Sequence, residues 1–339
     1  MTIAIFCILL AIPMRPLRVD RQMPRDSVRV LLFASHSIDR VVITGTRGES
    51  VEIEADDTDL RIRGEHRDSV VFGPQDHSVI SIATRFATRR IRGRVVVTAE
   101  GGRLWVVATI SVNDYLSGTL AAETFARDPM EYLTALSVLQ RNYARRHRSR
   151  HAPRAELCDN THCQRTDMGL STPRLRAAVD RSRWISVDGD PCYYSVNCGG
   201  KTLTPVQVWG RYEPGYQSVR CEYCRGSRWR RWGRSVRSSP EIDRLLASLR
   251  SFPAVDEGVK IAIGRLAGFG VAPGNTFDRV ERRGNVWRVY GRGFGHRVGL
   301  CQEGAKRMAE QGRRAADILD HYMAGHITDE SEQRPGRDQ

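Results

Sequence analysis

From Val28 to Val107 this chain of 339 residues alternates apolar and polar side chains in short runs, and at Val112 that pattern gives way to helical spacing. Neighbouring side chains on a strand point to opposite faces, so period-two alternation specifies half-buried β-strands. The runs are Val28–Phe33, Val41–Thr44, Ser50–Glu54, Leu60–Arg63, Val79–Ile82, Arg94–Thr98 and Leu104–Val107. Gly101-Gly102 between the last two is a hairpin turn signal. This half contains no catalytic cluster and reads as support or docking surface.

Beyond Val112, Ser111 or Asn113 is placed to cap a first helix ending near Ala122. Asp128, followed by Pro129 and with Glu131 three positions on, reads as the cap of a second helix running to about His147. Leu133, Leu136, Val138 or Leu139, and Tyr143 form its apolar stripe, and Glu123 falls in the loop between the two helices. Strand character returns at Ile185–Asp188, Tyr193–Val196 and Arg279–Val289, and helical spacing at Glu241–Leu249 and Gly304–Met323. The expectation is an α+β fold: a β-rich part over 26–110 packed with a mixed α/β core over 111–326 that carries long loops. A terminal segment (1–25) and a polar, disordered tail (327–339) flank it.

Gly291 to Ala305 packs five glycines, His296 and Gln302 into fifteen residues. Glycine permits positive φ and close backbone approach, so such a loop can aim polar groups at one spot. It lacks the Gly-Lys-Ser or Gly-Lys-Thr of a nucleotide P-loop. Cys158 and Cys163, Cys192 and Cys198, and Cys221 and Cys224 are grouped, whereas Cys7 and Cys301 stand alone. Grouped cysteines imply disulfides or metal, with buried free thiols as the plain alternative. His151, Cys158, His162 and Cys163 offer four donors within thirteen residues, a set suited to a structural zinc ion, although a Cys158–Cys163 disulfide fits the spacing too. Disulfides are preferred for Cys192, Cys198, Cys221 and Cys224 in an exported protein.

Net charge is +14, with Lys201, Lys260 and Lys306 the only lysines. So arginine-skewed a composition weakens the case for nucleic acid, and an anionic wall or membrane surface would attract the chain equally. Arg225–Arg234 interleaves arginines with Trp229 and Trp232, a pattern suited to glycan or nucleic acid, or to core tryptophans with a wet arginine face. The apolar run Ile3–Ile12 is too short to span a bilayer and resembles the core of an export signal, or else a buried strand.

Tyr115-Leu-Ser-Gly118 with Glu123, the helix Ala135–Ala144, Leu157-Cys-Asp-Asn-Thr-His-Cys-Gln164, Cys198-Gly-Gly-Lys-Thr202 with Val208-Trp-Gly210, and the Gly291–Ala305 loop occur in that order. Together they resemble the SpoIID/LytB family of sporulation and amidase-enhancer proteins in bacterial cell-wall remodelling. The resemblance runs from about Val28 to Gly325. It implies a cell-envelope protein, exported, acting on peptidoglycan glycan strands as a lytic transglycosylase. Glu123 would be the sole acid and base, and no cofactor is needed for the chemistry. Arg141, Tyr143, Gln164, Thr202, His296 and Gln302 are the substrate-binding candidates. Where the family carries Pro-Ser-Glu-Met-Pro, this chain has Ala121-Ala-Glu-Thr-Phe125. That departure keeps open a non-catalytic role, as an amidase enhancer or scaffold partnered with a cell-wall amidase.

Overall fold

The computed structural model describes residues 26–45, 47–73 and 79–330. The apolar run at the start, Cys7 and the tail beyond 330 lie outside the described residues. No described helix is long and apolar enough to cross a membrane. The fold is α+β, and the chain forms two compact units. One runs to Ala126 and takes in Ala144–Ala177; the other comprises Arg127–Tyr143 and everything from Ala178.

The first unit is built on strands β1 (Ser27–Leu32), β2 (Arg40–Thr44), β3 (Ser50–Asp56), β4 (Asp59–Ile62), β5 (Glu65–Arg67), β6 (Ser69–Phe72), β7 (Ile80–Ala83), β8 (Thr88–Ile91), β9 (Arg94–Glu100) and β10 (Arg103–Ser111). They form a five-stranded sheet ordered β11-β1-β10-β9-β6, whose last member β11 is Leu157–Cys158, and a six-stranded sheet ordered β5-β4-β3-β2-β7-β8. The sheets pack together where β3 and β4 meet β9 and β10. Val30, Val95, Val97, Val106 and Ala108 from one sheet, and Val41, Ile53, Leu60 and Ile82 from the other, are completely buried. Alternation thus places one face of each strand in the core. The β9–β10 hairpin turns at Gly101 and Gly102, with φ of 58° and 67°, the double positive φ of a type I′ turn.

Among β1–β10, three strands escape the sequence reading. β5 and β8 lie at the sheet's two edges and carry mainly exposed polar residues, and β6 exposes Val71 beside buried Val70. None presents the clean alternation of a half-buried strand.

Helix α1 (Val112–Glu123) is capped by the Ser111 hydroxyl, which accepts from the Asp114 N–H at 3.0 Å. Gly118 lies in its middle, where glycine costs about 1 kcal/mol relative to alanine. An added Cβ would meet Thr166 Oγ1 at 2.7 Å and Met168 Cγ at 2.8 Å, so the glycine admits the Thr166–Met168 segment against the helix. Asp167 N–H donates to the Gly118 carbonyl at 3.0 Å across the same contact.

Helix α2 (Met130–Arg146) begins in the second unit and ends in the first, and α3 (Pro173–Ser182) passes back. Within the second unit α2 buries polar groups alongside Leu133, Leu136 and Leu139. Asn142 donates to the Pro191 carbonyl at 2.9 Å and the Ser137 and Ser182 hydroxyls pair at 3.1 Å, whereas Thr134 Oγ1 and Gln140 Oε1 find no partner among the described residues. Asp128, expected as the cap, lies two residues before Met130, where α2 begins. It is buried and forms an ion pair with Lys306.

The rest of the second unit holds β12 (Ile185–Val187), β13 (Tyr194–Ser195), α4 (Pro205–Trp209), β14 (Trp232–Arg237), α5 (Pro240–Ala247), β15 (Ala254–Val255), α6 (Glu257–Ala267), β16 (Thr276–Arg283), β17 (Val286–Arg292), β18 (Leu300–Cys301), α7 (Gln302–Glu310), α8 (Ala315–Tyr322) and β19 (Ile327–Asp329). A four-stranded sheet ordered β14-β17-β16-β15 shares a core with α5 and α6 through Trp232, Ile242, Leu246, Ile263, Phe277 and Val289. The expected helix Gly304–Met323 is broken into α7 and α8 at Gly312, whose φ is 83°. Residues 327–329, assigned to a disordered tail by composition, instead form β19 and pair with β12.

Candidate functional site

Glu123 is the last residue of α1 rather than a loop residue, half-buried, with Thr124 as the helix C-cap. Phe125, two residues on, is 63% exposed and does not bury the acid's surroundings. The other acid on the same helix, Asp114, is nine residues away, about 13 Å along the axis at 1.5 Å per residue. That exceeds the separation of the two carboxylates in glycoside hydrolysis, roughly 5–9.5 Å. Asp114 is also committed, paired to Arg176 at 2.7 Å and hydrogen-bonded by Ser111.

The segment following β11 converges on one point. His151, Cys158, His162 and Cys163 bring their donor atoms within 4.8 Å of one another. His151 Nε2 lies 3.2 Å from His162 Nδ1 and 3.3 Å from Cys163 Sγ, and Cys158 Sγ lies 3.9 Å from His162 Nδ1. Contact with Cys163 and burial raise the Cys158 thiol strongly. The arrangement comes from β11 pairing in parallel with β1 and from Asp159, 3% exposed, which accepts from the Phe33 and Ala34 N–H groups and from Arg89 Nε at 2.8 Å. A tight turn follows, in which the Asn160 side chain accepts from the His162 N–H and its carbonyl from the Cys163 N–H.

Gln164 ties this loop to α1. Its Oε1 accepts from the buried Tyr115 hydroxyl at 3.3 Å, while its buried Nε2 finds no partner among the described residues. The donor cluster and Glu123 are therefore linked through Cys163, Gln164, Tyr115 and α1, all inside the first unit.

The other substrate-binding candidates lie in the second unit. Arg141 donates to the Val179 carbonyl at 2.9 Å and to Ser182 Oγ at 3.2 Å, which commits much of its guanidinium to the protein. Tyr143 is buried. Thr202 is completely buried, its hydroxyl donating to the Gln217 carbonyl and accepting from the Val219 N–H, so it braces a loop instead of facing a ligand. Gln302 opens α7, 7% exposed, with an Nε2 that finds no partner among the described residues.

His296 is held by the glycine-rich loop. Gly299, with φ of 74°, would place a Cβ 2.1 Å from the Tyr193 carbonyl, so only glycine lets the loop close over that strand. The Val298 N–H donates to His296 Nδ1 at 3.0 Å, which puts the ring proton on Nε2. Burial, reinforced by the Lys260 ammonium, pushes its pKa down to about 3, so the imidazole is neutral at physiological pH. Around it stand Trp209 at 5.3 Å and Tyr193 at 6.0 Å between ring centroids, with Tyr216 stacked on Tyr193 at 5.3 Å. Arg211 lies over Trp209 and donates to the Tyr193 hydroxyl at 2.9 Å. Burial and the neighbouring Cys192 and Glu213 push Tyr193 up to about 12. Neutral aromatic and amide groups of this kind suit sugar rings rather than proton transfer. Trp209 appeared in the sequence only as part of a motif, and Tyr193 gave no sign of an aromatic cluster. In the Arg225–Arg234 segment, Trp232 belongs to the core and donates to the Gly293 carbonyl at 2.9 Å, while Trp229 is half-buried between Arg228 and Arg234.

Among the described residues, Cys192, Cys198, Cys221, Cys224 and Cys301 are free thiols, so the disulfides preferred for the first four are not formed. Cys198, Cys221, Cys224 and Cys301 gather in the second unit, all buried, and Cys192 lies apart beside Tyr216. Cys301, solitary in sequence, is thus part of a cluster.

Residues 100–184 match the family model SpoIID, described as a Stage II sporulation protein. An uncharacterized protein of Brachyspira hyodysenteriae is 24% identical over 315 residues, which cover 84% of this chain and 83% of that protein. The Stage II sporulation protein D of Bacillus amyloliquefaciens is 47% identical over 45 residues, 13% of each chain.

Proposed function

We propose that this chain, whose residues 100–184 match the SpoIID family model, is an exported lytic transglycosylase of peptidoglycan glycan strands. The observation that carries this reading is the placing of Glu123. It ends a helix in the matched segment, is half-buried, and has no second carboxylate from its own helix within hydrolytic distance. A transglycosylase needs only one such group. The protonated Glu123 carboxyl donates to the glycosidic oxygen between N-acetylmuramic acid and N-acetylglucosamine as the C1–O bond breaks. The carboxylate then accepts the proton of the sugar's own C6 hydroxyl as that oxygen bonds to C1, closing a 1,6-anhydro ring and restoring the acid.

His151, Cys158, His162 and Cys163 are proposed to hold a structural zinc ion. Two neutral imidazoles and two thiolates at mutual distances of 3–4 Å fit a closed tetrahedral site. Zinc there would fix the turn bearing Gln164 and, through Tyr115, the helix that ends at Glu123. The aromatic group around His296 is proposed as a sugar-contacting surface.

A second reading is favoured by Thr124 and exposed Phe125 beside the acid: a binding protein that presents strands to a cell-wall amidase without cleaving them. Mass spectrometry of products from intact sacculi and from peptide-free strands separates the two. Anhydro-muramyl ends from the native protein, reduced about 10²–10⁴-fold in Glu123→Gln, are the expected result. Strands bound but never cleaved would replace the enzyme by the scaffold.

A further inference from the structure

We propose that Cys198, Cys221, Cys224 and Cys301 form a second metal centre, a mononuclear tetrathiolate site for a thiophilic divalent cation, with zinc the expected ion. The four sulfur atoms lie within 4.8 Å of one another, and Cys198 and Cys224 are 3.6 Å apart. Four sulfurs about 2.3 Å from a central zinc stand ~3.8 Å from each other at the corners of a tetrahedron. A disulfide would need a separation near 2.05 Å.

The surroundings are those of a site for anionic sulfur. Cys198 N–H donates to Cys301 Sγ at 3.3 Å, as does Gly304 N–H at 3.4 Å from the first turn of α7. The Tyr322 hydroxyl lies 3.2 Å from Cys221 Sγ. Four thiols this close cannot all ionise without a cation. A divalent ion bound by four thiols forms four metal–sulfur bonds, releases four protons and leaves a net charge of two minus on the centre.

Two residues fit such a centre. Arg297, 4% exposed, sends its guanidinium to the Cys198 and Lys201 carbonyls at 2.7 and 2.8 Å and to the Thr276 hydroxyl, all neutral groups. A buried cation calls for anions nearby; the Asp278 carboxylate is one, and a thiolate centre at Cys198 would be another. Gly304 would carry a Cβ 2.7 Å from Cys221 Sγ and 2.2 Å from the Tyr322 hydroxyl, so its bare backbone makes room for the four sulfurs.

All four ligands are buried, leaving no open position, so the centre is structural. It joins the Gly199-Gly200 turn, the Cys221–Cys224 turn and the N-cap of α7 that follows the glycine-rich loop.

The test is zinc content per chain in the full-length protein as purified, compared with Cys224→Ser and Cys163→Ser. Loss of one zinc in Cys224→Ser that Cys163→Ser retains is the expected result, and it is independent of transglycosylase activity. Unchanged zinc in Cys224→Ser overturns the proposal. X-ray absorption at the zinc edge of the native protein needs no variant to fold. An average of more than two sulfurs per zinc supports the tetrathiolate, whereas two or fewer, absence of zinc, or a mass deficit from disulfides among these cysteines overturns it.

Discussion

The two donor clusters reach similar geometry by opposite routes. His151, Cys158, His162 and Cys163 fall within one short stretch, and a two-residue strand with a tight turn suffices to gather them. Cys198 and Cys301 are 103 positions apart and meet only because β13 pairs in parallel with β18, setting Ser195 opposite Cys301. A local cluster depends on its turn and a dispersed one on the whole unit's topology. Losing a ligand should therefore have different consequences in the two places.

The largest effect is expected from Cys224→Ser. It removes a junction of three loops, and a fall in melting temperature of roughly 10 °C or more is anticipated by calorimetry, since structural zinc contributes folding energy outright. Cys158→Ser should melt less of the molecule but, by loosening Gln164 and Tyr115 against α1, reduce cleavage along with stability. Equal loss of stability with undiminished cleavage would break the distinction.

Next comes the anchor of the local cluster. Asp159→Ala leaves Arg89 and two backbone N–H groups without their buried acceptor and should cost about 3–5 kcal/mol in denaturant unfolding. Zinc retained by that variant at full affinity would show that the turn alone builds the site.

The sequence disclosed these regions unequally. The strand alternation of β1 to β4 and of β9 and β10, the Ser111 cap and the first donor set all depend on neighbours in the chain, and all were legible. The union of Cys301 with Cys198, Cys221 and Cys224 was not, because no spacing rule links residues joined by a parallel pairing. Thr202 looked like a ligand-facing residue beside two glycines, yet its hydroxyl braces the loop. Arg141 likewise proved to have partners across α3. The ion pair between Asp128 and Lys306 depended on a contact 178 positions away, so a capping motif concealed it.

Smaller tests sharpen the contrast. Gly118→Ala gains helix propensity but drives a methyl into Thr166 and Met168, and a net loss of about 1–3 kcal/mol is expected. In the second unit, folded His296 resists protonation until about pH 3, while the unfolded imidazole takes up a proton near its ordinary value of 6.5. Its contribution to stability is therefore complete above pH 6.5 and declines as pH falls through that window. The melting temperature of His296→Gln should drop less on acidification from about pH 7 to about pH 4 than that of the native protein.

Synthesis gives one further meaning to the pairing of Val30 with Leu157 and Leu31 with Cys158. A ribosome releases β1 well over a hundred residues before the strand that covers its outer edge. In the interval the nascent sheet presents an uncapped row of amides and carbonyls, the kind of edge on which chains stick to one another. Arrival of Leu157 and Cys158 closes that edge and brings with it the turn that carries His162 and Cys163. Completion of the sheet and assembly of the proposed zinc ligands are thus two parts of one event.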